Sequence, residues 1–88
     1  TNRLYKILEK SPLFVRVDQP LEGDVVISPT GYGNGKLPNG HVGIISKDNM
    51  IMSSDSNTGL FLENYSLESW KGRYTNLGGY PVCLFRRV

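Results

Sequence analysis

Apolar positions fall at helical spacing at the start of the chain and at strand spacing, or in short unbroken runs, after it. Leu4, Ile7 and Leu8 recur at i, i+3, i+4, with Arg3, Lys6, Glu9 and Lys10 on the other face, which predicts a short amphipathic helix over residues 2–10. Thr1 or Asn2 is placed to cap it. Ser11-Pro12 ends it, because the residue before proline avoids the helical region. A helix this short is marginal alone in water and has to dock. Leu13-Phe14-Val15-Arg16-Val17 then reads as a strand, and Asp18-Gln19-Pro20 breaks it. Leu21-Glu22-Gly23-Asp24 reads as a turn feeding Val25-Val26-Ile27-Ser28, a nearly continuous apolar run expected of a strand buried on both faces.

Residues 29–40, Pro-Thr-Gly-Tyr-Gly-Asn-Gly-Lys-Leu-Pro-Asn-Gly, fit neither a helix nor a central strand. A phosphate loop is excluded: three residues separate Gly31 from Gly35 where that motif needs four, and Leu37 follows Lys36. Two readings stand, a plain surface loop or one wall of a groove beside His41, with Tyr32 as a candidate substrate contact.

The Asn39-Gly40 turn signal precedes His41, which heads the apolar run Val42-Gly43-Ile44-Ile45. Residues 42–46 and 50–54 flank Lys47-Asp48-Asn49 and predict a hairpin. If Ser46 opposes Met50, then Ile44 opposes Met52 and His41 opposes Asp55. Side chains alternate along strands, so Ser53 and Asp55 share the face of His41, with Asn57 just beyond. The competing reading of residues 53–59 is a polar turn cluster. Residues 60–65 predict another strand. Ser66-Leu67-Glu68-Ser69-Trp70-Lys71 predicts one helical turn capped by Ser66, with Trp70 as a core or edge anchor, or else a ligand platform. Gly78-Gly79 breaks the chain before a last strand over residues 80–87. The sum is an α+β domain: one short N-terminal helix and a five- to six-stranded antiparallel sheet or half-barrel.

Composition narrows the picture. The 88 residues are read as a single domain that buries roughly 60% of the surface its unfolded chain exposes. A net charge of +2 with scattered basic residues gives no case for a nucleic-acid partner, and a pI near 8.8 is compatible with attraction to an anionic polymer. Cys83 is the only cysteine and His41 the only histidine, so neither a disulfide framework nor a zinc set is expected, and no cofactor is implied. No apolar run approaches the roughly 20 residues of a membrane span, and no signal peptide is visible. A start at Thr1 is read as a processed product, an excised domain or a fragment.

Gly23-Asp24-Val25-Val26-Ile27, then Gly40-His41-Val42-Gly43-Ile44-Ile45, a hairpin turn and Met50-Ile51-Met52-Ser53 resemble the C-terminal half of NlpC-type and CHAP cell-wall peptidases. So does the ending, a Trp70 segment followed by a strand into Leu84-Phe85-Arg86-Arg87. The resemblance spans roughly residues 20–88, and its specificity lies in the order and spacing of short motifs. It implies a papain-like core and a cysteine peptidase or amidase of bacteria or phages, extracellular or cell-wall associated, acting on peptidoglycan peptides. In such enzymes a histidine at a strand start accepts the proton of a cysteine thiol, and a polar residue on the next strand fixes the imidazole. The resemblance assigns the histidine to His41 and the third residue, twelve positions on, to Ser53, with Asp55 as the stronger orienter. Asp24 is assigned a structural role.

The resemblance also places a nucleophile helix upstream of the Gly-Asp strand, and no cysteine precedes His41 in this chain. The chain is therefore expected to lack that helix and to pair with the missing segment or self-associate through an uncovered apolar sheet face. Two alternatives accompany this reading. One is a non-catalytic module of the same fold that binds peptidoglycan or protein. The other is a permuted cysteine hydrolase using Cys83, although a buried structural Cys83 is the better fit to Val82-Cys83-Leu84-Phe85.

Overall fold

The computed structural model describes residues 2–29, 40–55 and 58–88. The cap position Thr1 and most of the glycine-rich segment, residues 30–39, lie outside the described residues. Among the described residues six strands form one antiparallel sheet in the order β1-β6-β2-β3-β4-β5. They are β1 (Phe14–Val17), β2 (Val25–Ser28), β3 (His41–Ile45), β4 (Met50–Ser54), β5 (Phe61–Ser66) and β6 (Cys83–Arg87). The helices are α1 (Asn2–Lys10) and α2 (Leu67–Trp70), the latter running on into a wider π-type turn over Lys71–Leu77. The α+β class and the antiparallel sheet follow the pattern of the sequence.

The run 25–28 is indeed central: β2 lies between β3 and β6, and Val26, Ile27 and Ser28 are fully buried. The turn before it is tied down by Asp24, whose carboxylate accepts from the Leu21 amide at 2.8 Å and from Arg86 Nε and Nη2 at 2.9 and 2.8 Å. Gly23, at φ +94°, supplies the left-handed position this turn requires. The Arg86 guanidinium beside Asp24 holds its carboxyl below the usual carboxylate range, with the Leu21 amide adding to the effect against the opposing effect of burial.

Register divides the sheet into two faces. Val26, Ser28, Gly43, Ile45, Ile51 and Ser53 alternate onto one face with His41, where Trp70, Tyr74 and Tyr80 pack on them. Ile27, Cys83 and Phe85 point to the other face and pack against Tyr5 and Leu8 of α1. Two expectations change here. The buried stripe of α1 is Tyr5 and Leu8, whereas Leu4 and Ile7 are exposed. The Tyr5 ring meets Phe85 edge-on while its hydroxyl bonds Glu9, so an amphipathic aromatic takes the place assigned to aliphatics. The apolar sheet face expected to be uncovered is covered in part, with α1 packed on one side against Ile27, Cys83 and Phe85 and residues 67–80 packed on the other. Exposed apolar side chains remain on the sheet, Ile44 on the interior strand β3 and Leu60-Phe61-Leu62 at the β5 edge.

Ser66 caps α2 as its sequence predicts. Its hydroxyl accepts from the Ser69 amide at 3.0 Å, while Ser69 Oγ accepts from the Ser66 amide at 2.9 Å. The helical segment is longer than the single turn expected. It ends at Gly78-Gly79, where the amides bond the Arg73 and Thr75 carbonyls at 2.9 and 3.0 Å and Gly79 takes φ +76°.

Candidate functional site around His41

The hairpin is present in the register its sequence predicts: Ile44 opposes Met52 and Gly43 opposes Ser53, around a turn at Lys47–Asn49. Asp48 and Asn49 sit at φ +55° and +58°, the left-handed region that short polar side chains tolerate best among residues other than glycine. Gly43 lets the two strands close under His41. A Cβ there would stand 2.6 Å from Ile51 Cγ2 and 2.8 Å from the Met52 carbonyl oxygen.

His41 opens β3 opposite Ser28 and projects onto the face that α2 covers. Its ring lies 5.4 Å from Trp70 and 5.7 Å from Tyr74 in stacked orientations of 24° and 19°, with Tyr65 edge-on at 6.4 Å. Trp70 and Tyr74 are one turn apart on the helical segment, so both rings reach the same imidazole. Trp70 is itself anchored: its indole N–H donates to Ser28 Oγ at 2.9 Å, and it is fully buried. It serves as a core anchor and as a wall of the site at once. The Tyr74 hydroxyl shares a hydrogen bond with Tyr65 and receives one from Arg73, and burial pushes its pKa up to about 12.

The imidazole is half-buried. Burial pushes its pKa below the ordinary value of 6.5, and the charge on Arg73 adds to this, against a hydrogen bond donated to the Ser54 main-chain carbonyl. The favoured form near neutral pH is thus uncharged. One ring nitrogen is engaged as a donor, which leaves the other as the basic lone pair. Such a ring can accept a proton, and its aromatic walls limit how it turns.

The residues named from sequence are placed as follows. Ser53 shares the His41 face and is fully buried, but its hydroxyl donates to Asn64 Oδ1 at 2.6 Å. The acceptor that holds the His41 N–H is the Ser54 carbonyl. Asp55 continues the hairpin. Its amide donates to the Leu60 carbonyl at 2.8 Å, its carbonyl accepts from the Gly59 amide at 2.7 Å, and its carboxylate accepts from Thr58 Oγ1 at 3.2 Å. Tyr32 and Asn57 lie outside the described residues. Sequence reasoning passed over Tyr65, Arg73 and Tyr74. The aromatic spacing 65, 70, 74 around the Ser66 cap was the available signal.

Cys83 sits on the wrong face for the permuted alternative. It pairs with Ile27 and packs among Tyr5, Leu8 and Phe85, whereas His41 pairs with the adjacent Ser28 and points to the opposite side. Burial also pushes the Cys83 thiol up, away from the thiolate that nucleophilic attack needs. A structural cysteine is what the packing supports.

Among the described residues no three His, Cys, Asp or Glu side chains converge to hold a metal ion, and no helix is long and apolar enough to cross a membrane. No protein-family model matches this chain, and no match was found among the curated proteins or the solved structures.

Proposed function

We propose that His41 is the general base of a papain-like cysteine peptidase or amidase that acts on peptidoglycan peptides, with the nucleophilic thiol supplied by a segment other than these 88 residues. The observation that carries this reading is the setting of His41: a half-buried imidazole at a strand start, fixed through one N–H by the Ser54 carbonyl and walled by Trp70 and Tyr74, where burial favours the uncharged form. The order of the Gly23-Asp24 strand, the His41 strand and the Trp70 segment supports the NlpC-type and CHAP likeness. In the proposed reaction the free ring nitrogen takes the thiol proton and the thiolate attacks the amide carbon. The imidazolium then returns the proton to the leaving amine. Burial and the Arg73 charge disfavour the imidazolium and so favour this return. Tyr32 and Asn57 are proposed substrate contacts, and the cell wall or a phage lysin is the proposed setting.

A second reading has its own observation. The one thiol of the chain is buried on the face away from His41, so these residues by themselves fit a module that binds peptidoglycan without cutting it. Sacculus co-sedimentation and the release of soluble peptide fragments separate the two. The 88-residue chain is expected to bind and release nothing. The chain joined to any Cys-bearing coding sequence that precedes Thr1 is expected to release fragments, with loss on iodoacetamide treatment and in His41→Gln. Binding that never converts to release leaves the module reading. Release by the 88 residues alone, insensitive to iodoacetamide, contradicts the proposal.

A further inference from the structure

The two edges of the sheet are built differently. β1 is four residues long, follows Pro12 closely and carries Arg16, features that discourage pairing with another strand. β5 is six residues long and bonds only β4 among the described strands. It has no proline or lysine, and its leading residues Phe61 and Leu62 are open at 54% and 37% exposed, as is Leu60 just before them at 58%. The Asp55 amide bonds the Leu60 carbonyl, and antiparallel ladders alternate. Leu62 is thereby turned inward to Ser53, while the main-chain groups of Phe61 and Glu63 face outward.

This open stretch has defined ends. Asn64 is the extra residue of a bulge between the pairs Met52–Glu63 and Ile51–Tyr65, and its side chain is turned in to Ser53. At the other end Gly59 takes φ +72°. What remains is the apolar triplet Leu60-Phe61-Leu62, symmetric about Phe61, followed by Glu63.

We propose that β5 pairs with β5 of a second copy of this chain, antiparallel about a two-fold axis through Phe61, so that the sheet continues across two molecules. In this register the outward amide and carbonyl of Phe61 exchange hydrogen bonds with those of its counterpart. Leu60 opposes Leu62 of the second copy on the His41 face, and the two Phe61 rings meet on the other face. An axis through Leu62 sets Glu63 against an aromatic ring and draws the bulged Asn64 into the ladder. An axis through Glu63 sets two carboxylates against each other. The Phe61 axis leaves each Glu63 beyond the paired triplet, still accepting from Ser46 Oγ at 2.8 Å. The self-complementary triplet therefore selects a second copy over an unrelated strand, whatever the role of His41.

Sedimentation across micromolar to millimolar concentration, with amide exchange, tests this. The expected mass rises from 9.8 kDa toward its double. Protection of the Phe61 amide rises with it, while the Leu62 amide is protected throughout. Phe61→Lys and Phe61→Glu are each expected to weaken association by about ten-fold or more, and an equimolar mixture of the two is expected to restore it. Leu21→Lys, at an exposed apolar position elsewhere, is expected to associate as the parent chain does. A parent chain that stays monomeric, association unaffected by Phe61→Lys, or equal loss in Leu21→Lys would each overturn the proposal.

Discussion

Two residues show how little room the His41 site leaves. Gly43 lies beneath it, and any Cβ there meets Ile51, the Met52 carbonyl and, at 3.2 Å, Ser53 Cβ. The backbone oxygen cannot swing aside as a flexible side chain would. Gly43→Ala is expected to destabilise the fold by about 1–3 kcal/mol, seen as a lower urea midpoint at unchanged slope. Asp24 is the second. It is almost fully buried, and its two oxygens are taken by Arg86 and the Leu21 amide. Asp24→Asn is expected to lower the urea midpoint more than Asp18→Asn or Glu22→Gln in the neighbouring exposed turns. Both titratable sites make the fold acid-sensitive, and the sign is the same for each. His41 and Asp24 have folded pKa values below their ordinary values, so the unfolded chain binds more protons and stability falls with pH. The His41 contribution is complete above about 6.5 and declines below it; the Asp24 contribution is lost as pH falls below 3.8. Urea midpoints measured against pH are expected to fall in these two separate windows, and His41→Gln is expected to remove only the upper one.

At the scale of elements, local rules carried far. Period-two alternation and a three-residue turn placed Ile44 opposite Met52, and the Ser66–Ser69 spacing placed the cap of α2, because both depend on neighbours along the chain. Ser66→Ala is expected to cost about 1 kcal/mol by removing that cap, read as a drop in thermal midpoint. Reasoning failed where packing decided. Aliphatic spacing marks Leu4, Ile7 and Leu8 on α1, yet the partner surface of Phe85 and Cys83 selects Tyr5 with Leu8. The continuation of α2 to Leu77 passes through Gly72 and polar residues that give little helical signal; burial of Trp70 and Tyr74 against the sheet holds it. The orienter of His41 is the Ser54 main-chain carbonyl rather than a side chain, a group every residue carries and no pattern marks.

For the whole molecule, the decisive fact is which residues share a face. Parity along β2, β3 and β6 separates His41 from Cys83, and no composition argument could have shown which helical segment covers which side. The outcome is a sheet with an aliphatic and aromatic core on each face and one imidazole enclosed by three rings. That the chain holds a single His and a single Trp, stacked on each other, makes the site readable in solution. Trp70 fluorescence is expected to drop as the pH falls through the His41 midpoint, because a protonated imidazole against the indole is a quencher, and His41→Gln is expected to abolish the step.

The account turns on His41 being a neutral base held in one orientation, and an NMR titration of that imidazole tests it most directly. The predicted result is a midpoint below 6.5, with one ring nitrogen protonated and hydrogen-bonded and the other unprotonated at neutral pH. A midpoint at or above 6.5, or nitrogen shifts showing two interconverting tautomers, would contradict it.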